Sequence, residues 1–244
     1  MMNLLVDMGN TRLKWAVLQD GRLVTGQALV NQQITHGQLV EIWTMLASPE
    51  CLAISCVSAS PLLEMVRSVA VELWPAIEII AVKSRARGYS VHNAYQQPEK
   101  LGVDRWLALV AVRNLYHTPA CIVDCGTAIT VDLLDADGNH QGGLISPGLT
   151  LMKKALAAGT EALQFNESNY QFGPANYTEA AIYSGTLAAA VGLIEHVLSN
   201  QSKTMPLILT GGDAEIIARQ LQCNPVIDPD LVLRGLAVVL EDRV

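Results

Sequence analysis

The chain has 244 residues, half of them apolar and 16% charged, enough to bury a sizeable core as one large domain or as two of roughly 120 residues each. Its net charge of −7 includes no Lys/Arg cluster able to follow a phosphate backbone, which argues against nucleic-acid binding; its five cysteines form no C-x-x-C pair and its five histidines have no ligand spacing, so reduced thiols and no zinc site are expected. Asn3, Asp7 and Asn10 interrupt what a signal peptide keeps apolar, and no uncharged apolar run approaches the roughly 18 to 20 residues of a bilayer span, so a soluble, cytoplasmic protein is expected.

In chain order, an apolar strand from Leu4 ends on Asp7, and Gly9, Asn10 and Thr11 lead into a second apolar strand and an Asp20-Gly21 turn. Asp-Gly between alternating apolar segments predicts a type I′ hairpin, because glycine takes positive φ without steric cost. Helical periodicity follows at 61–73 and 104–114. From Cys121 the opening plan returns as CIVDCGTAITVDLLDADGNHQGG, and Gly138 follows Asp124 by the same 14 residues that separate Gly21 from Asp7. Helices are predicted at 177–199, with Asn176 as cap and Glu179 returning the bond, and at 213–221 and 230–241. A strand at 206–209 leads into Thr210-Gly211-Gly212-Asp213.

Strands alternating with helices in two similar halves predict a duplicated α/β chain, residues 1–117 and 118–244, with a cleft between the halves. The boundary falls near 116–119, and the C-terminal helix is expected to pack back across it.

The Asp7-Met8-Gly9-Asn10-Thr11 turn suits a phosphate. Gly9 has no Cβ to obstruct it, Asn10 and Thr11 can donate to phosphate oxygens, Lys14 adds a cation, and Asp7 can help hold hydrated Mg²⁺. Asp124-Cys125-Gly126-Thr127-Ala128 carries the same equipment in the second half, so two facing loops can clamp one polyphosphate. A single Asp-x-Gly is also what any tight turn selects; the repeated pair carries the reading. No G-x-x-x-x-G-K-[ST] is present, and no G-x-G-x-x-G follows a strand. Gly211 and Gly212 serve either a nucleotide at a helix N-terminus or close helix–strand packing.

These motifs resemble those of the type III pantothenate kinases, in the acetate kinase, hexokinase and Hsp70-like actin superfamily. The family's D-x-G-N-T, D-x-G-T-A and T-G-G-D elements correspond to Asp7–Thr11, Asp124–Ala128 and Thr210–Asp213. Its G-x-D-R segment corresponds to Gly102-Val103-Asp104-Arg105, and its G-G-x-I-x-P-G element begins at Gly142. The resemblance implies a duplicated actin-like (ribonuclease H-like) fold with a central nucleotide cleft, and transfer of the ATP γ-phosphate to pantothenate. By it, Asp104 is the catalytic base, and Tyr95, Gly102, Val103, Arg105 and Thr178 contact pantothenate. Nucleotide contacts fall on Asp7, Met8, Gly9, Asn10, Thr11, Arg12, Leu13 and Lys14, and on Thr127, Gly211 and Gly212. Asp124 is a ligand for a monovalent cation, K⁺ or NH₄⁺. The resemblance also implies a homodimer with sites near the subunit interface; the small residues from Gly185 to Gly192 would permit close helix packing there, although packing within the domain explains them equally well. Two other readings stay open: a kinase for another acceptor such as a sugar or acetate, and a regulatory or nucleotide-sensing module.

Overall fold

The computed structural model describes residues 2–57, 61–159, 168–202 and 204–242. Strand β1 (Met2–Met8) turns its Leu4, Val6 and Met8 into a core and leaves Leu5 and Asp7 on its other face, as the two-residue period of a strand requires. It pairs antiparallel with β2 (Arg12–Gln19), which pairs with β3 (Arg22–Thr25) through a two-residue turn. Asp20 and Gly21 take φ of 49° and 74°, the left-handed pair that a type I′ hairpin demands. The two-residue strand β4 (Leu29–Val30) adds to the start of β2.

Helix α1 (His36–Trp43) is capped by Thr35, whose side chain accepts from the Gln38 N–H. After β5 (Cys51–Cys56), α2 (Pro61–Leu73) has the bounds that its periodicity predicts, and β6 (Glu78–Ala81) follows. Both helices cover one face of this sheet, and Trp43 and Trp74 stack in the core at a centroid distance of 6.4 Å. A small hairpin, β7 (Arg87–Gly88) and β8 (Val91–His92), precedes α3 (Val103–Leu115).

The second unit repeats the plan with β9 (Ala120–Cys125), β10 (Ala128–Leu134) and β11 (His140–Pro147), then α4 (Leu149–Ala158) and α5 (Thr178–Ser199). Strand β12 (Leu207–Thr210), helix α6 (Ala214–Ala218) and strand β13 (Val226–Ile227) complete it. The main strand orders are β3-β2-β1-β5-β6 and β11-β10-β9-β12-β13, so each unit has an antiparallel three-strand meander extended by two parallel strands. The duplication read from the sequence is therefore a duplication of topology.

Helix α7 (Leu231–Glu241) returns to the first unit and packs on α3, where Gly235 lies directly against the Leu107 backbone. The first unit is Met1–His117 with Gly138–His140 and Asp230–Val244; the second is Thr118–Asp137 with Gln141–Pro229. Segment 138–140 joins the first unit because the His92 N–H donates to the Gly138 carbonyl.

Four local expectations need correction. Helix α5 begins at Thr178 with Tyr177 as its N-cap residue and no side-chain cap bond, so Asn176 does not cap it. The second Asp-Gly turn is no two-residue hairpin: β10 and β11 are joined through 135–139, with the Asp137 N–H donating to Asp135 Oδ1 and Gly138 alone at positive φ. Helix α6 stops at Ala218 because its continuation tightens: the N–H groups of Gln220 and Leu221 donate to carbonyls three residues back. Finally, α5 does meet the length and composition of a membrane span. Its Tyr183, Leu187, Ala190 and Ile194 lie in the core of the second unit, and a core helix passes the same test.

Candidate active site

The first loop is built on the end of β1. Register places Lys14 of β2 and Ser55 of β5 directly beside Asp7, so all three side chains project from the same face of the sheet. The Gly9 N–H donates to the Arg12 carbonyl at 3.1 Å and closes the turn, leaving Asn10, Thr11 and Arg12 exposed. Met8 and Leu13 are buried in the core beneath, so they support the loop rather than present side chains from it.

The second loop is tighter. Gly126 N–H donates to the Ala128 carbonyl two residues on, at 3.1 Å, and Asp124 stands opposite Thr130, six residues away, where Asp7 stands opposite Lys14, seven away. Thr127 is exposed, and its carbonyl accepts from the Gly148 N–H at 2.9 Å, which ties the loop to the start of α4. Register sets Thr210 beside Asp124, and the Asp213 N–H donates to the Cys125 carbonyl at 2.9 Å. Gly211 has φ of +91°, and a Cβ there would overlap the Asp124 carboxylate and the Cys125 backbone. The absence of a side chain at Gly211 thus lets the Thr210–Asp213 turn pack closely on Asp124. A five-residue helix has little dipole to offer a phosphate, whereas Gly212 leaves open space.

Cys125 lies between the loop's acidic groups, yet burial pushes its thiol well above the ordinary range, and the Asp124 and Asp213 charges push the same way. It remains a neutral thiol and adds no negative charge beside Asp124. Cys121, four residues earlier on the same face of β9, is pushed up to about 12, chiefly by burial.

The Gly102–Arg105 segment opens α3. Gly102 is the N-cap residue, the Ser84 hydroxyl donates to the Leu101 carbonyl at 2.8 Å, and Asp104 Oδ1 accepts the Arg105 N–H at 2.8 Å. The carboxylate is half-buried at the positive end of a 13-residue helix. Arg105 does not face solvent. It is 5% exposed, its Nη1 donates to the Tyr95 hydroxyl at 2.7 Å, and its guanidinium carbon lies 5.5 Å from that ring's centroid. The Tyr95 ring also stacks on His140, at a centroid distance of 6.1 Å. The structure thus brings Tyr95, Gly102, Asp104 and Arg105 together in the first unit, while Val103 is buried and Thr178 is an exposed first residue of α5 in the second.

Sequence reasoning missed the residues that hold these segments. Asn31 Nδ2 donates to the Gly9 carbonyl at 2.8 Å. Asn93 accepts from the Tyr95 N–H and donates to the Pro98 carbonyl. His140 and Ser84 act from distant parts of the chain. None lies in a motif or on a periodic face, so only the folded chain reveals them.

Among the described residues no group of three or more His, Cys, Asp or Glu side chains is placed to hold a metal. Mg²⁺ does not require one: it is ordinarily held by one or two carboxylates with waters and substrate phosphates, and the Asp7 carboxylate near the end of β1 fits that donor set. The Asp124 carboxylate is an oxygen donor of the kind that suits a hard cation.

The family model described as type III pantothenate kinase matches residues 3–200. The chain belongs to that family. It is 39% identical to the type III pantothenate kinase of Nitrosococcus oceani over 99% of this chain and 94% of that one. To the type III pantothenate kinase of Dichelobacter nodosus it is 34% identical, over 96% of each. Among solved structures, a Baf family transcriptional activator from Campylobacter jejuni aligns with a TM-score of 0.64 at 22% identity, covering 98% of both chains. The activator of the 2-hydroxyisocaproyl-CoA dehydratase from Clostridium difficile, with bound ADPNP, aligns with a TM-score of 0.59 at 13% identity, covering 100% of this chain and 95% of that one. At such identities these structures speak for the fold alone, and the fold is the duplicated actin-like α/β fold.

Proposed function

We propose that this member of the type III pantothenate kinase family is a cytoplasmic enzyme that transfers the ATP γ-phosphate to the hydroxyl of pantothenate, giving 4′-phosphopantothenate and ADP. The observation that carries the reading is the Gly102–Arg105 turn. It holds the Asp104 carboxylate by a backbone N–H at the head of α3, beside a tyrosine fixed by a buried arginine.

In this reading Asp104 orients the acceptor hydroxyl and takes its proton as the new P–O bond forms, a role worth about 10²- to 10⁴-fold in rate. Tyr95, Gly102, Val103 and Arg105, with Thr178, hold the acceptor. The first loop, Asp7 through Lys14, receives phosphate oxygens on its backbone and on Asn10 and Thr11, while Lys14 offsets their charge. Thr127, Gly211 and Gly212 serve the nucleotide in the second unit. Mg²⁺ on Asp7 and K⁺ or NH₄⁺ on Asp124 supply countercharge for the phosphates when bound. Little covalent chemistry falls to the protein in phosphoryl transfer; its residues position reactants and neutralise charge.

The reading includes a homodimer. Ala181, Gly185, Ala188, Ala189 and Gly192 lie exposed along α5, and a Cβ at either glycine would meet nothing within 4 Å, so a partner helix can approach closely.

The test is product identification by mass spectrometry after incubation with ATP, Mg²⁺, K⁺ and, in turn, pantothenate, acetate and glucose. Phosphate on pantothenate alone, made by the wild type and not by Asp104→Asn, is the expected result. Phosphate on another acceptor, or on none, overturns the reading.

A further inference from the structure

We infer that Asn31 is a positioning residue for nucleotide binding, acting through the backbone of the first phosphate loop; the inference rests on the reading of that loop as a phosphate site. Asn31 is 22 residues beyond Gly9, immediately after β4. Its backbone N–H donates to the Thr11 carbonyl at 3.0 Å, and its side-chain Nδ2 donates to the Gly9 carbonyl at 2.8 Å. With the Arg12 carbonyl taken by the Gly9 N–H, the carbonyls at 9, 11 and 12 all accept from donors within the protein.

This matters because an anion site made of backbone needs the negative ends of its peptide dipoles turned elsewhere. A phosphate meeting Asn10 and Thr11 would be repelled by a Gly9 or Thr11 carbonyl that swung into its path. Asn31 holds both away with one side-chain bond and one backbone bond.

The position of Asn31 is itself fixed. Leu29 and Ile34, on either side, are buried in the core of the first unit, and β4 is paired to β2 in register with Arg12 and Leu13. The amide has only one tenable orientation, since turning it would set its oxygen against the Gly9 carbonyl. That oxygen, Oδ1, is buried and has no hydrogen-bond partner among the described residues. A buried amide that forgoes one of its bonds while keeping the contact to Gly9 indicates that the Gly9 contact is what the residue is there to make.

Asn31→Ala removes the side-chain bond and leaves the backbone bond to Thr11. Asn31→Asp keeps the volume and replaces the donor with an acceptor facing the Gly9 carbonyl. Gln32→Ala, an exposed neighbour on the same turn, is the control. MgADP binding by calorimetry, Tm without nucleotide, and KM for ATP and for acceptor would be measured for each. The expected result is MgADP affinity and ATP KM worse by about tenfold in Asn31→Ala and more in Asn31→Asp, with acceptor KM within twofold, Tm within a few degrees, and the control unchanged. Wild-type affinity for both variants overturns the inference, as does equal worsening of every parameter together with a collapse of Tm, which a merely structural residue would give. Wild-type chain that binds MgADP but phosphorylates no pantothenate sinks the acceptor assignment and leaves this inference to be decided by the calorimetry; wild-type chain that binds no adenine nucleotide sinks both.

Discussion

Substituting Gly102 by alanine tests the placement of the Asp104 carboxylate, proposed as the catalytic base, without touching it. Gly102 has φ −53° and ψ 136°, angles open to any residue, so glycine is required by what stands over the position and not by the backbone. A methyl built there lies 2.5 Å from Asp104 Oδ1 and 3.6 Å from its Cγ, while the next neighbour, Arg105 Cδ, is at an ordinary 3.9 Å. Ordinary contact begins near 3.4 Å, so the oxygen must retreat by about 0.9 Å, rotating off the 2.8 Å bond from the Arg105 N–H. Misplacing a reacting group by about 1 Å costs on the order of 10²-fold. Because the obstruction is the tip of one side chain and not backbone, the fold accommodates it. Gly102→Ala is therefore expected to lower kcat for pantothenate by about 30- to 100-fold, with Tm within about 2 °C and MgADP binding unchanged. Coupled ADP release and thermal denaturation measure these. A kcat within twofold of wild type would refute the argument that the carboxylate's position limits the rate, and a collapse of Tm would show that the glycine serves the fold instead.

Arg105→Lys removes the planar fork that holds the Tyr95 hydroxyl and ring, so acceptor KM is expected to rise about tenfold or more while ATP KM stays within twofold, as steady-state kinetics will show. Gly235→Ala drives a methyl into the Leu107 carbonyl, a backbone atom that cannot step aside. That should cost about 2 to 3 kcal/mol and lower Tm by on the order of 5 to 10 °C, measured by calorimetry. Because burial and neighbouring carboxylates raise the thiol pKa of Cys125, and burial that of Cys121, both stay protonated as pH rises to 9. Mass spectrometry after iodoacetamide treatment of the folded protein at that pH should find both unmodified, and Cys223, whose thiol pKa desolvation also raises but which is exposed to the reagent, alkylated.

Much of this was legible in the sequence because the signals were local. Asp20-Gly21 predicts its turn, since only small or short polar residues take two successive positive φ values cheaply, and the helix at 61–73 declares itself by an apolar stripe. The repeat was legible too, although its equal spacing of 14 residues conceals a difference. The first loop is one residue longer than the second, and the 135–139 turn is longer than the two-residue turn at 20–21. Local rules failed where tertiary contacts decide. Asn176 has the chemistry of a cap, but the chain enters α5 one residue later. Nothing local to Arg105 announces its partner, because Tyr95, ten positions earlier, meets it only in the folded chain. Asn31 and His140 carry no signal at all, because their importance lies in carbonyls and rings supplied by distant residues.

Asp104 is proposed to deprotonate pantothenate in a site charged with MgATP and a monovalent cation. Pantothenate-dependent ADP release, measured for the wild type and for Asp104→Asn in K⁺ and again with Na⁺ in its place, tests it most directly. Release is expected to fall by at least about 10²-fold in the variant and to drop when K⁺ is withdrawn. Release no faster than in the absence of pantothenate, or equal in wild type and variant, would contradict it.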